Sequence, residues 1–361
     1  MAGILVTSQG NVPAEQAGVR TSPVDKGNLN RLFRGKSMTT HPVSLEDVRS
    51  AACALSGVVA RTPVLENADV NAMLGGRLLL KAENFQRTGA FKIRGAYNRI
   101  LNLTPQERAR GTVSYSSGNH ALGLARAAQI LGSSALIVMP SDAPAAKFAA
   151  TRALGAEIVT FDRDTERSAD VVAQIQSQTG RIEVPPSAHA QVLAGAGTAA
   201  LELLEDAGDL DTVLVPCGGG GLTAATAVVM AAASPKTQVF AAEPALFDDT
   251  RRSLEARVRL ANPTGRRTIC DAIMTPIPNE VTFEINLDLL AGGVTATDED
   301  VRAAMRFAFE HFKIVAEPGA VVGLAAVLNG QIDIKNKTVA TVITGGNIDI
   351  GWFSALIGDV K

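Results

Sequence analysis

The sequence predicts an α/β protein of two domains, each an open, mostly parallel, twisted sheet with helices on both faces. Three observations carry that prediction. From Leu78 onward, short apolar runs alternate with helical stretches of about 10–15 residues. The runs are apolar almost throughout, as strands buried on both faces must be. Polar, glycine-rich segments stand directly after strands, where open α/β sheets bind ligands.

The elements follow in order. Residues 1–41 read as a flexible extension, rich in Gly, Asn, Ser, Arg and Pro. Ile4-Leu5-Val6 has neither a charged stretch before it nor an apolar one after it, so no secretory signal is expected. Glu15 and Asp25 tell against a transit peptide, and Met38 offers an alternative start. Ser44, three residues before Asp47, resembles a helix N-cap. Strands are expected at Leu78–Lys81, Thr112–Tyr115, Ser134–Met139, Glu157–Thr160, Val213–Pro216, Gln238–Ala242 and Thr338–Ile343. Helices are expected at Ile93–Leu103, Ala121–Leu131, Ala145–Leu154, Thr165–Thr179 and Leu222–Ala233. Residues 42–90 and 190–361 are assigned to a large domain, and 91–189 to a small one.

Composition narrows the function classes. A chain of 361 residues with 46% hydrophobic and 19% charged residues suits a globular enzyme. Its net charge of −2 and lack of a basic stripe give no reason to expect nucleic acid as a partner. The apolar run from Leu222 to Ala233 is too short to cross a bilayer, so no membrane is expected either. Cys53, Cys217 and Cys270 form no CxxC pair, which fits a reducing cytoplasm. His41, His120, His189 and His311 lack the spacing of a zinc site.

Four segments carry chemistry. Lys92 lies between Phe91 and Ile93 with Gly89 and Gly95 nearby, poor company for a solvated charge. Desolvation disfavours the ammonium form and frees the amine to attack a carbonyl. Gly218-Gly219-Gly220-Gly221 falls between a strand and a helix, where bare backbone and the helix dipole make a phosphate cradle. The spacing is neither GxGxxG nor a GKS/T loop, so no dinucleotide or nucleotide fingerprint is present. Ser116-Ser117-Gly118-Asn119-His120 places hydroxyls and backbone N–H groups at a helix start, a receptor for a carboxylate. Thr344-Gly345-Gly346-Asn347 follows an apolar strand. An amine, a phosphate cradle, a carboxylate receptor and a hydroxyl at a strand end are together what pyridoxal phosphate (PLP) requires.

With Thr88-Gly89-Ala90-Phe91-Lys92-Ile93-Arg94-Gly95-Ala96 and Glu243-Pro244 added, the chain resembles the serine/threonine dehydratase family from about residue 42 to 352. These are fold type II PLP enzymes that include threonine deaminase and serine racemase. The resemblance implies that Lys92 carries the cofactor as a Schiff base, with Phe91 beside it in the cofactor site. It implies that Gly218, Gly219, Gly220 and Gly221, with the backbone of Leu222, hold the phosphate. Asn119 would meet the pyridine 3-hydroxyl, and Thr344 would set a neutral hydroxyl beside the pyridine nitrogen. Ser116, Ser117, Gly118, Asn119 and His120 would receive the substrate carboxylate. Ser117 would be a second acid/base on the opposite cofactor face. Glu243, the carbonyl of Phe247 and Asp249 resemble a site for Mg²⁺ or Ca²⁺; a solvated acidic turn is the alternative.

The activity this implies is α,β-elimination from L-threonine or L-serine to a 2-oxo acid and ammonia. Hydroxyaspartate or phenylserine dehydration and serine racemisation remain open. Ala90, Ala196, Gly319 and Cys270-Asp271-Ala272 depart from the family's commonest residues, which bears on the preferred substrate. A homodimer or homotetramer is expected. The sequence given ends 14 residues after Asn347, from which hyperbolic kinetics without isoleucine inhibition are expected.

Overall fold

The computed structural model describes residues 41–358. The extension expected over residues 1–41 therefore lies almost wholly outside the described residues. Ser44 does cap the first described helix, Leu45–Leu55, in a reciprocal capping box with Asp47.

Among the described residues, ten strands form two sheets. They are β1 (Val64–Glu66), β2 (Arg77–Ala82), β3 (Thr112–Tyr115), β4 (Ala135–Pro140) and β5 (Glu157–Phe161), then β6 (Ile182–Glu183), β7 (Thr212–Pro216), β8 (Gln238–Pro244), β9 (Gly292–Ala296) and β10 (Thr338–Ile343). One sheet has the order β1-β2-β10-β7-β8-β9, the other β5-β4-β3-β6. Every pairing is parallel except β1 with β2. The break in order at the crossover from β10 to β7 brings the loops after these strands together at one sheet end.

Why the central strands read as unbroken apolar runs is visible in their two faces. Leu79, Ala340, Val342, Val213 and Val215 pack into one core, with the helices Leu45–Leu55, Ala190–Ala207 and Gly221–Ala233. Leu78, Leu80, Val339, Ile343 and Leu214 pack into the other, with Asp298–Phe312 and Val322–Leu328. Alternate residues thus face opposite cores, and each fully buried aliphatic side chain is worth about 1.5–3 kcal/mol. In the smaller sheet Leu136 and Val138 meet Val172 and Ile175 of the helix Ser168–Thr179.

Among the elements that sequence patterning missed are β1, β6, β9 and the helix Ala190–Ala207. The strands are short or pair at an edge. The helix is rich in Ala and Gly and buried around much of its circumference, which blurs a 3.6-residue period. That same smallness lets it lie backbone to backbone against the helix Lys92–Leu101. A Cβ on Gly95 would lie 2.7 Å from the Val192 carbonyl oxygen.

Candidate active site

Lys92 is the first residue of the helix Lys92–Leu101, with Phe91 as its N-cap. Its Nζ donates to the Pro186 carbonyl at 2.8 Å and stands 5.0 Å from the centroid of the Phe91 ring. No carboxylate among the described residues pairs with it, and burial pulls its pKa down to about 8. The amine is therefore far closer to its nucleophilic form at neutral pH than an ordinary lysine.

Two devices fix the backbone around it. In front, the Phe91 N–H donates to the Thr344 carbonyl at 3.1 Å, and the Gly346 N–H to the Gly89 carbonyl at 2.9 Å. The lysine loop and the Thr344–Asn347 loop are thereby laced together, and Thr344 is buried beside them. Behind, Arg94, itself fully buried, enters a largely buried network that sequence reasoning did not foresee. It grips Glu83 by Nε and a terminal nitrogen, each at 2.8 Å, and Glu202 at 2.7 and 2.8 Å. Lys81 completes the group with a 2.7 Å contact to Glu202. Burial alone would raise the Glu83 carboxyl, but the charge and bonds of Arg94 hold it below its ordinary value.

The four glycines connect β7 to the helix Gly221–Ala233. Gly220 has φ +77°, and a Cβ there would lie 2.8 Å from both Thr282 Oγ1 and Asn286 Nδ2. Ser187 closes the cradle from the other side: added Cβ atoms would lie 2.7 Å from its Oγ at Gly219 and 2.8 Å from its Cβ at Gly221. Phe91, Lys92, Pro186 and Ser187 line one narrow cavity together with Gly221 and Leu222 and with Gly95, Val192, Leu193 and Ala196 of the two packed helices. A group with a carbonyl for Lys92 and a phosphate for the helix N-terminus fits this arrangement. Pro186 and Ser187 lie between β6 and the helix Ala190–Ala207, in irregular backbone that carries no pattern to flag them.

The Ser116–His120 segment follows β3 and opens the helix Asn119–Ile130, with Gly118 as N-cap. The Gly118 N–H donates to Ser116 Oγ at 3.1 Å, and the space beside Gly118 is open. Ser117 is half-buried, and its hydroxyl takes no hydrogen bond among the described residues. His120 points the other way. Its ring is buried, with Nε2 2.8 Å from the Val184 carbonyl and 3.1 Å from Ser114 Oγ. Burial, reinforced by Lys92, pushes its pKa down to about 3, so the ring is neutral. What His120 offers a ligand is its place in the first turn of the helix, not its imidazole.

Asn119 donates through Nδ2 to Glu317 Oε1 at 2.6 Å, and its Oδ1 accepts from Asn347 Nδ2 at 2.8 Å. Glu317 is a second residue the sequence did not single out as functional. Its carboxyl is pushed up to about 7 by burial.

The acidic turn lies behind the cradle. Cys217, just before Gly218, is paired with β8 through the Ala242 carbonyl, and its thiol lies 3.4 Å from Thr250 Oγ1. Glu243 is fully buried and accepts from the Thr250 and Arg251 N–H groups at 2.8 and 2.7 Å. Asp249 is also fully buried; Asn262 donates to Oδ1 at 2.6 Å, while Oδ2 is buried with no partner among the described residues. Burial, with Asp249 nearby, pushes Glu243 up to about 8, and burial pushes Asp249 up to about 6.

Comparison with known proteins agrees with this geometry. Residues 55–345 match the family model for pyridoxal-phosphate dependent enzymes. The chain is 40% identical to an L-threonine ammonia-lyase of Thermotoga maritima over 319 residues, 87% of this chain and 78% of that one. It is 38% identical to an L-threo-3-hydroxyaspartate ammonia-lyase of Saccharomyces cerevisiae, covering 86% of this chain and 95% of that one. A solved maize serine racemase superimposes with a TM-score of 0.83 at 33% identity, over 87% of this chain and 97% of that one. The α/β architecture is that of fold type II, and the chain belongs to the pyridoxal-phosphate dependent enzyme family.

Proposed function

We propose that this enzyme removes water from a β-hydroxy amino acid and releases a 2-oxo acid and ammonia, with L-threonine or L-serine as substrate. The observation that carries the reading is the desolvated amine of Lys92, on the lining of one narrow cavity with Gly221 and Leu222 of the glycine cradle. When bound, PLP supplies an electron sink for the pair left at Cα when the proton departs.

The chain's own residues divide the remaining tasks. Gly218 to Leu222 bind phosphate through backbone N–H groups at a helix start. The Ser116–His120 turn takes the substrate carboxylate, aligning the Cα–H bond with Lys92. Lys92 Nζ, its pKa lowered by burial, removes that proton in its neutral form. Asn119 and Thr344 would orient the cofactor ring; a neutral hydroxyl at Thr344, unlike a carboxylate, would not hold a proton on the ring nitrogen, which would favour loss of the β-hydroxyl over amino-group transfer. The hydroxyl leaves as water with one proton. Water then adds back as the released enamine hydrolyses, so the net change is amino acid to 2-oxo acid plus ammonia.

Ser117 favours a second reading. Its uncommitted hydroxyl could return a proton to the opposite face of Cα, giving racemisation alongside elimination. We also assign a Mg²⁺ or Ca²⁺ site to Glu243, Asp249 and the Phe247 carbonyl. A buried carboxylate oxygen without a partner beside a second buried carboxylate is a donor set suited to a hard cation. The chain is further read as a homodimer or homotetramer, in keeping with exposed Ile350, Trp352 and Phe85.

Incubating PLP-loaded enzyme with L-threonine, L-serine and L-threo-3-hydroxyaspartate, and following 2-oxo acid and ammonia together, tests the reading. Equal amounts of both products from at least one substrate are expected. No oxo acid from any β-hydroxy amino acid would overturn it.

A further inference from the structure

Glu317 is a buried titratable group that the scheme above leaves without a task. It precedes the 3₁₀ turn Pro318–Val321 beside the larger sheet, whereas Asn119 opens a helix of the smaller one. Their 2.6 Å bond is thus a contact between the two halves of the site. The amide it engages has no freedom to turn over. Asn347 Nδ2 is tied to the Thr88 carbonyl at 2.8 Å and so presents N–H to Asn119 Oδ1, also at 2.8 Å. An ionised Glu317 can only accept, so Nδ2 of Asn119 must face it. One N–H of that amide is then spent on Glu317, and one remains for a ligand.

The backbone is shaped around this pair. The Glu317 N–H donates to the Gly345 carbonyl at 3.1 Å. A Cβ on Gly345 would collide with Glu317 Oε1 and lie 3.1 Å from Asn119 Nδ2. We propose that Glu317 is a positioning residue for the reaction, fixing the Asn119 amide so that its remaining N–H meets the ring oxygen of the cofactor. This role rests on the cofactor reading above.

The charge on Glu317 decides whether the device works. Burial lifts its carboxyl to about 7, the Asn119 bond opposes this, Asp271 adds to it and Lys147 opposes it. Asp271 and Lys147 are themselves paired at 2.9 Å, and the nearby Cys270 thiol, pushed up to about 12 by burial, stays neutral. Glu317 therefore changes charge near neutrality. Once protonated, its carboxyl can donate and no longer requires Nδ2; the constraint from Glu317 lapses, Asn347 alone orders the amide, and the donor to the ring oxygen is held less firmly.

The test uses PLP-loaded wild type and Glu317→Gln, with visible absorbance followed against pH in the absence of substrate. Wild type should show a spectral transition centred near 7. Glu317→Gln should stay coloured, lose that transition, and lose the acid limb of its kcat profile, with kcat lower by about tenfold. PLP affinity, measured by fluorescence titration, should fall as well. Superimposable titrations in the two coloured proteins would overturn this proposal alone. A wild type that stays colourless with PLP would overturn the cofactor reading and this one together. Should Glu317→Gln fail to fold, Asn119→Ala removes the same bond from the other side. The transition should then be absent, and a transition with an unmoved midpoint would overturn the proposal.

Discussion

Arg94 holds Glu83 by two parallel hydrogen bonds of 2.8 Å, both side chains fully buried, two residues beyond Lys92 in the same helix. The pair ties the start of that helix to the end of β2, and Glu202 carries the tie on to the helix Ala190–Ala207. Replacing Arg94 with Met leaves the fully buried Glu83 without its paired cation and the partly buried Glu202 with Lys81 alone. Breaking a buried pair from one side costs about 3–5 kcal/mol. Arg94→Met should therefore unfold at markedly lower urea than wild type, with PLP binding weakened in parallel. A midpoint equal to wild type would show that the network bears no strain of holding Lys92.

Gly220 is tested by adding a single methyl. An L residue at φ +77° costs about 1–2 kcal/mol, and here the methyl also meets Thr282 and Asn286. Gly220→Ala should weaken PLP binding by about tenfold or more, since about 1.4 kcal/mol already corresponds to that factor. A fluorescence titration of apoprotein with PLP reads it directly, and unchanged affinity would remove the cradle assignment.

The acidic turn makes a separate prediction. A cation that binds only the folded protein at hundredfold excess over its Kd stabilises it by about 3 kcal/mol. Chelator should lower Tm and activity, Mg²⁺ or Ca²⁺ should restore both, and Asp249→Ala should abolish the response. If metal-stripped wild type behaves identically with and without either cation, Glu243 and Asp249 form only a buried acidic pair.

The depressed pKa of Lys92 predicts how the apoprotein takes up PLP. Only the neutral amine attacks the aldehyde, so the uptake rate should rise with pH and level off above about 8. Stopped-flow absorbance gives the profile. A rate still climbing toward the ordinary lysine value of 10.5 would mean that the amine is solvated.

Much of this was legible in the sequence because the chemistry sits in contiguous runs. The lysine segment, the four glycines, the Ser116–His120 turn and the Thr344–Asn347 loop each announce themselves by residues that a strand or helix interior would not tolerate. The central strands were legible because both faces are buried. What escaped depends on contacts distant in sequence. Glu317 matters through Asn119, 198 positions away, and Lys92 meets Pro186 across 94. Arg94 reads as an ordinary helix cation until Glu83 and Glu202 are brought to it by the fold. His120 shows the converse: the motif places it at the site, but only geometry shows that its ring faces the core.

The account stands on Lys92 as the point of cofactor attachment. Borohydride reduction of PLP-loaded protein, followed by proteolysis and mass spectrometry, should find the reduced pyridoxyl group on the peptide containing Lys92. Lys92→Ala should give a folded protein with neither label nor elimination activity. A label on Lys81, Lys147 or any other lysine, or an active Lys92→Ala enzyme, would contradict it.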